Sequence, residues 1–466
     1  MPDHSFVAGT SDLTSTAAAI AAGEISPVDL TENALRAIQE LDPTLNAYIT
    51  VMGEQAMTGA LAAEREIATG TYRGPLHGIP VSVKDIFATI GVRTTAGSRV
   101  LKDNVSVDDA AVIERLAAAG AILLGKTNLL EFCGDAAHPD FGTTRNPWDL
   151  TRHASGSSGG SAASTAAGLD YGSLGSDTGG STRIPASFCG VCGFKPTYGL
   201  VSRFGMQPFS WTLDHVGAFA RTARDLTLLL EAVAGYDPCD LQSVDRPVPN
   251  YQRRLSEQLD DLRIGVLENF LDSGVDSEVR DAVTRAAGVL EAAGATVRML
   301  NVPALDRDGG ITSARILTPE RSYTHRDLFD LHQDDYSDAF LERLRSGQEA
   351  TALSYIEGLE TRARLRRLVR GQQAEIDLFV LPTAPIVAPS LDAPALDPPV
   401  YLRMTAPFNV TGQPALSLPC GFTRAGLPIG LQIVGREFED ATVLRAAHAY
   451  QLRTDWHCRR PQIAAS

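Results

Sequence analysis

Two short stretches rich in glycine and serine hold three candidate nucleophiles: Ser157 and Ser158 in Gly156-Ser157-Ser158-Gly159-Gly160-Ser161, and Ser181 in Asp177-Thr178-Gly179-Gly180-Ser181. A serine hydroxyl becomes a nucleophile when a neighbour accepts its proton, and glycine lets a backbone approach a ligand or adopt angles that other residues resist. Gly156 to Gly160 satisfies G-x-S-x-G, the pattern of a nucleophile elbow with Ser158 at its tip, as in an α/β-hydrolase-type esterase. An elbow needs an apolar strand leading into it, and Asp149-Leu150-Thr151-Arg152-His153-Ala154 does not read as one. Of the histidines downstream, His215, His325, His332, His448 and His457, none has a distinctive setting. A phosphate cradle is the other use of such glycines, but Walker-type loops continue with Lys-Ser or Lys-Thr, whereas Ser161-Ala162-Ala163 follows here.

Lys84 offers a proton acceptor. In Gly78-Ile79-Pro80-Val81-Ser82-Val83-Lys84-Asp85-Ile86 it falls in a predicted strand, Ile79 to Ile86, with Val81 and Val83 on one face and Ser82 and Lys84 on the other. An ammonium held among such neighbours loses hydration, its pKa falls, and the neutral amine can act as a base. The alternative is a lysine at a strand end that reaches solvent.

The elements that must position these groups alternate between β and α. The first 70 residues read as helices: Ser26-Pro27-Val28-Asp29 starts one with a capping serine and a proline at the first helical position, a stop is predicted before Pro43, and Gly70 closes another. A helix is predicted from Val107 to Ala119 and a strand from Ala121 to Leu124. Past the serine segments come a strand at Val216 to Ala220, a helix at Thr222 to Ala234, and a βαβ unit from Leu262 to Leu267, Ser277 to Ala293 and Thr296 to Leu300. Residues 301–376 read as helical and polar, a cap or side layer over the sheet. A strand at Asp377 to Leu381 leads into six prolines between 382 and 399, a rigid surface excursion. Strands at Ala415 to Leu418 and Ile429 to Val434 and a helix at Asp440 to Arg453 close the chain. With no internal repeat, this return of strands favours one α/β domain over 1–466.

At 466 residues and 44% apolar content the chain can bury a large core. A net charge of −15 argues against a nucleic-acid partner, because neutralising phosphates needs clustered Lys and Arg. The one basic run, Arg362 to Arg370, alternates with Ala363, Leu365, Leu368 and Val369 at helical spacing and reads as a solvated helix face. Six cysteines without a regular framework fit a reducing compartment. Cys189 and Cys192, among Phe188, Val191 and Phe194, read as buried thiols, with no second pair or nearby histidine to complete a metal site. Met1 to Thr10 lacks the features of a signal peptide, and no apolar run approaches the about 18 residues of a spanning helix. A cytoplasmic protein with no membrane partner is expected.

Taken together, the motifs resemble those of the amidase signature family. Its G-I-P-x-x-V-K-D strand is matched by Gly78 to Asp85, its G-S-S-G-G-S loop by Gly156 to Ser161, and its G-S-D-x-G-G-S-x-R-x-P segment by Gly175 to Pro185. The likeness continues through Gly125-Lys126-Thr127-Asn128, Asn146-Pro147-Trp148, Gly193 to Gly199, Gly412 to Ala415 and Gly426 to Gln432, and so covers nearly the whole chain.

The resemblance implies a single large α/β domain whose mixed, mostly parallel central sheet is covered by helices on both faces. It also implies a Ser-Ser-Lys triad, with Ser181 as nucleophile, Ser157, after a cis peptide bond, as relay and Lys84 as base. Backbone N–H groups of Thr178, Gly179, Gly180 and Ser181 would form the oxyanion hole. Ser181 then attacks a small-molecule amide, the relay run backwards protonates the leaving amine, and water hydrolyses the acyl-enzyme, with no cofactor and no metal. Esters and carbamates follow the same route. Ser158, Ser176, Asp177 and Arg183 are expected to hold the loops. Walls are expected from Glu131 to His138, from Phe204 to Trp211 and from the region of Phe408. Phe132, Cys133, His138 and Phe408 are thus candidate substrate-binding residues, suited to an aryl or other apolar group. The main alternative within the family is the glutamine-hydrolysing subunit of a tRNA-dependent amidotransferase. Those subunits carry an acidic residue shortly before a C-terminal P-x-N segment, whereas Tyr401 to Asn409 has none. A free-standing hydrolase is therefore expected, with a homodimer as a compatible assembly.

Overall fold

The computed structural model describes residues 12–272, 274–393, 400 and 402–463. Its strands are β1 (Tyr48–Val51), β2 (Pro80–Lys84), β3 (Ile122–Thr127), β4 (Arg145–Asn146), β5 (Asp149–His153), β6 (Ser173–Ser176), β7 (Cys192–Lys195), β8 (Val216–Ala220), β9 (Arg263–Leu267), β10 (Thr296–Leu300), β11 (Leu378–Pro382), β12 (Ala415–Phe422) and β13 (Pro428–Val434). Eleven of them form one sheet in the order β1-β3-β2-β6-β8-β7-β12-β13-β11-β9-β10, and β4 pairs with β5 apart from it. Strands β2, β6, β8 and β11 are buried along their whole length, as expected of strands covered on both faces.

The α/β class holds, but the expectation of a mostly parallel sheet does not. Four neighbouring pairs are parallel and six are antiparallel. The parallel pairs flank an antiparallel middle. There β12 turns back into β13 through Gly426 at φ 82°, a connection too short for a crossover. The predicted βαβ unit is present: β9 and β10 run parallel, joined through the helix Ser277–Ala292.

Local differences from the sequence reading have identifiable causes. The helix Pro27–Leu45, capped by the Ser26 hydroxyl, runs through Pro43 and stops at Asn46, whose φ is 55°. Pro43 lies in the last turn, where losing one N–H interrupts little. The next segment, expected to be all helical, inserts β1 as an edge strand against β3. The helix predicted from Val107 starts only at Ala111. The chain before it is engaged elsewhere: the Ser106 N–H donates to the Val92 carbonyl, the Ser106 carbonyl accepts the Gly91 N–H, and the Ala110 N–H donates to the Ala88 carbonyl. Met1 to Thr10 and the prolines at 394, 398 and 399 lie outside the described residues.

Between 301 and 376 the helices Asp338–Gln348 and Ala352–Gln372 both pack on the helix Pro303–Thr324. They are fastened to the loops at the sheet by buried acids, Glu320 to Ser210 and Thr212, and Glu131 to Ser337. No helix among the described residues is long and apolar enough to cross a membrane.

Candidate active site

Lys84 is the last residue of β2 and has no exposed surface. Parallel pairing of β2 with β6, Ser82 opposite Ser173 and Val83 opposite Leu174, carries it to the end of β6, where its Nζ lies 2.8 Å from Ser176 Oγ. The same Nζ is 2.7 Å from Oγ of Ser157, which follows the cis peptide bond Gly156–Ser157. Cys133 Sγ is 3.6 Å from Ser176 Oγ. Burial lowers the Lys84 pKa below the usual lysine value, and the electrostatic pull of Cys133, Asp214 and Asp177 only partly opposes it. Burial thus shifts Lys84 toward a neutral amine, whose lone pair could accept the Ser157 proton.

Ser158 cannot serve as an elbow nucleophile in this setting. Its hydroxyl is buried, donates to the Ser176 carbonyl at 3.1 Å and accepts from the Ser176 N–H at 3.2 Å, bracing the two glycine-rich segments against each other. The strand before it, β5, belongs to the small two-stranded ladder and not to the main sheet. The α/β-hydrolase alternative is thereby set aside.

The second segment turns out of β6 at Asp177, whose backbone pairs with that of His215 in both directions. The Asp177 carboxylate accepts Arg183 Nε at 3.0 Å and Nη2 at 2.8 Å, together with Asn409 Nδ2 at 2.8 Å. Arg183 completes its donors on the Thr405 carbonyl, Gln432 Oε1 and Asn409 Oδ1. Burial would raise the Asp177 pKa, but Arg183, Lys195 and Asn409 outweigh it and hold the carboxyl well below the usual range.

Between Asp177 and this knot the chain passes over Ser181, which is partly exposed amid buried neighbours. The backbone N–H groups of Thr178, Gly179, Gly180 and Ser181 donate to no acceptor among the described residues. The Gly179 carbonyl accepts from Thr405 Oγ1 at 2.6 Å, and because the peptide is planar and trans, the Gly180 N–H must point the opposite way. Gly180 has φ 143°, and a Cβ there would collide with Thr405 Oγ1, so only glycine fits. Such a row of amides suits an oxygen that gains negative charge.

Of the candidate substrate-binding residues, the structure brings Cys133 to the lysine and serine cluster. Phe132, at φ 45°, sits with its ring 4.4 Å from that of His325 and within a buried group that includes Tyr336 and Phe340. His138 is buried and organises its own turn, accepting the Asp140 N–H at Nδ1. Phe408 lies in the helix Ala406–Thr411 with no exposed surface, as part of the main core. Thr405, Asn409, Gln432 and Asp214 escaped the sequence reading as partners of the turn. Asn409 and Gln432 stand inside quoted motifs, but nothing local indicates what they meet. Cys189 and Cys192 are buried and unpaired, and burial pushes both thiols up. No group of three or more His, Cys, Asp or Glu among the described residues could hold a metal ion.

A mixed α/β sheet that delivers a buried lysine to a serine beside a glycine turn defines the class, hydrolases of carboxylic amides. The Amidase family model matches residues 29–444, and the chain belongs to the amidase signature family. It is 40% identical over 470 residues to a glutamyl-tRNA(Gln) amidotransferase subunit from Cyanothece sp., covering 94% of this chain and 97% of that protein. Among solved structures, a chain from a vestigial protein complex bearing on the origins of an s-triazine catabolic enzyme superposes with a TM-score of 0.91 at 32% identity, over 97% of this chain and 100% of the other. The 6-aminohexanoate cyclic dimer hydrolase does so with a TM-score of 0.89 at 32% identity, over 97% of this chain and 99% of its own.

Proposed function

We propose that this amidase is a free-standing serine hydrolase of small, neutral amides, with Ser181 as nucleophile, Ser157 as relay and Lys84 as base. The observation that carries the reading is the fully buried Lys84 Nζ, 2.7 Å from Ser157 Oγ, with lowered proton affinity. Neutral Lys84 takes the Ser157 proton while Ser157 takes that of Ser181, and Ser181 Oγ adds to the amide carbonyl. The N–H groups of Thr178 to Ser181 receive the resulting oxyanion. Expulsion of the amine requires a proton, which returns along the same path from the lysine, now an ammonium, and water then hydrolyses the ester on Ser181.

The surroundings favour a neutral substrate. A Cβ on Gly179 would lie 3.3 Å from Leu402 Cδ1, so that partly buried side chain covers the turn with apolar surface. The adjacent Arg403 is committed to Asp272 and Asp306. Cys133 adds a thiol on the lysine side.

A second reading, glutamine hydrolysis within an amidotransferase assembly, is favoured by the Cyanothece relative. Leu402 and the paired Arg403 weigh against it, because neither offers a carboxylate to a substrate amino group. The test is a hydrolysis screen of the isolated protein on primary amides, anilides, esters, carbamates and glutamine. Turnover of neutral amides that is lost in Ser181→Ala supports the proposal. Activity on glutamine alone, or none without added partner proteins, transfers the assignment to the second reading.

A further inference from the structure

Asp214 is 2% exposed and within ion-pair distance of no cation among the described residues, yet its carboxylate is occupied on both oxygens. Oδ1 accepts the Thr178 hydroxyl at 2.6 Å, and Oδ2 accepts the backbone N–H groups of Phe209 at 2.8 Å and Ser210 at 2.9 Å. A buried carboxylate without a counter-ion is costly, so its placement needs a cause other than stability. The cause lies in what it touches. Thr178 opens the turn, and Gly179 and Gly180 have more backbone freedom than any other residue, so their N–H groups converge only if the chain is held on both sides.

Three holds surround that pair of glycines. Thr405 fixes the Gly179 carbonyl, the Ser181 carbonyl accepts the Ser158 N–H at 3.3 Å, and Asp214 secures Thr178 on the N-terminal side. The Asp214 hold is itself anchored from outside the sheet. Glu320, on the helix Pro303–Thr324, accepts the Thr212 N–H at 3.0 Å, the Thr212 hydroxyl at 2.8 Å and the Tyr355 hydroxyl at 2.8 Å, and it also takes the Ser210 hydroxyl. A continuous set of hydrogen bonds thus runs from the helical layer through residues 209–214 to Thr178.

We propose that Asp214 is a positioning residue for the reaction, holding Thr178 so that the amides from 178 to 181 converge on one oxygen. This rests on the reading of that turn as the oxyanion hole. Asp214 does not reach substrate, so its removal should slow the step in which the oxyanion forms and leave ground-state binding nearly unchanged.

The experiment compares Asp214→Ala, Thr178→Val, Thr178→Ser and the double variant Asp214→Ala/Thr178→Val on an amide that the wild type hydrolyses. It also measures affinity for phenylboronic acid, which forms a tetrahedral anionic adduct with an active serine. Expected are falls in kcat of about 10- to 100-fold for Asp214→Ala and Thr178→Val, the range a small misplacement produces, with KM changed less than about threefold. Boronate affinity should fall alongside kcat. The double variant should be no slower than the worse single one, because both break one contact. Thr178→Ser, which keeps the hydroxyl, should restore most of the rate. Wild-type kcat in Thr178→Val, additive losses in the double variant, or an effect confined to KM overturns the proposal. Should Asp214→Ala fail to fold, Thr178→Val against Thr178→Ser decides by the same criteria. Undiminished activity in Ser181→Ala would instead remove the underlying reading of the turn, whatever the Asp214 variants do.

Discussion

Lys84 and Arg183 are both basic side chains with no exposed surface, and they meet opposite partners. Arg183 faces the Asp177 carboxylate at 2.8 Å and spends its remaining donors on Asn409, Gln432 and the Thr405 carbonyl. Lys84 faces the hydroxyls of Ser157 and Ser176. A carboxylate at contact opposes the desolvation of a buried cation, whereas neutral hydroxyls at contact leave it less opposed and favour the free amine. Lys126, equally buried and 3.3 Å from Asp85, stands between the two: Asp85 opposes its desolvation, yet burial still lowers its pKa. The contact partner thus distinguishes Lys84, the proposed base, from Arg183, which is held by a carboxylate.

The largest effect that could break this contrast is on Ser181, the proposed nucleophile. Ser181→Ala is expected to lower amide turnover roughly 10⁴-fold or more while leaving the thermal midpoint unchanged, checked by steady-state kinetics and calorimetry. Next, Lys84→Ala should cost about 10³-fold or more on amides and less on activated esters, whose leaving groups need little protonation. Lys84→Arg should not rescue it, because a guanidinium stays protonated. Wild-type kcat/KM should rise with pH as Lys84 loses its proton, and its plateau should begin below the ordinary lysine value of about 10.4. A limb that continues to that value would mean that Lys84 is not desolvated as described.

On the scaffold side, Asp177→Asn leaves Arg183 without its carboxylate and is expected to cost about 3–5 kcal/mol in denaturant titrations. The pH dependence has the opposite sense from that of the base. The folded Asp177 pKa is depressed, so its contribution is fully present above the unfolded value of about 3.9 and is lost as pH falls toward the folded value. The variant should therefore show a shallower acid-induced loss of stability than the wild type. Smallest is Leu402→Asp, expected to shift relative kcat/KM by about tenfold from neutral amides toward glutamine. No shift would place Leu402 outside the substrate's reach.

Much of the candidate site was legible because its parts are local. The strand that ends at Lys84, the serine loop and the glycine turn each announce themselves by residue type over a few positions. The βαβ unit through β9 and β10 followed from the same kind of local periodicity. The direction of the middle strands did not, since parallel and antiparallel partners impose the same apolar pattern on a strand buried on both faces. Nor did the ends of helices that compete with neighbouring loops, as at Ala110 and Pro43.

From the sequence alone came the inventory: an α/β domain, a lysine in a strand, and two segments that can present hydroxyls and amides. Only the tertiary structure decided which of them meet. It placed Ser157 and not Ser158 on the lysine, tied Ser158 to backbone, and gave Arg183 a carboxylate that Lys84 lacks. It also recruited Asp214, Thr405, Asn409 and Gln432 from far along the chain to hold one short turn. Proton affinity and oxyanion geometry depend on which groups lie within about 3 Å and on how much water is excluded, and residue order does not specify either until the chain has folded.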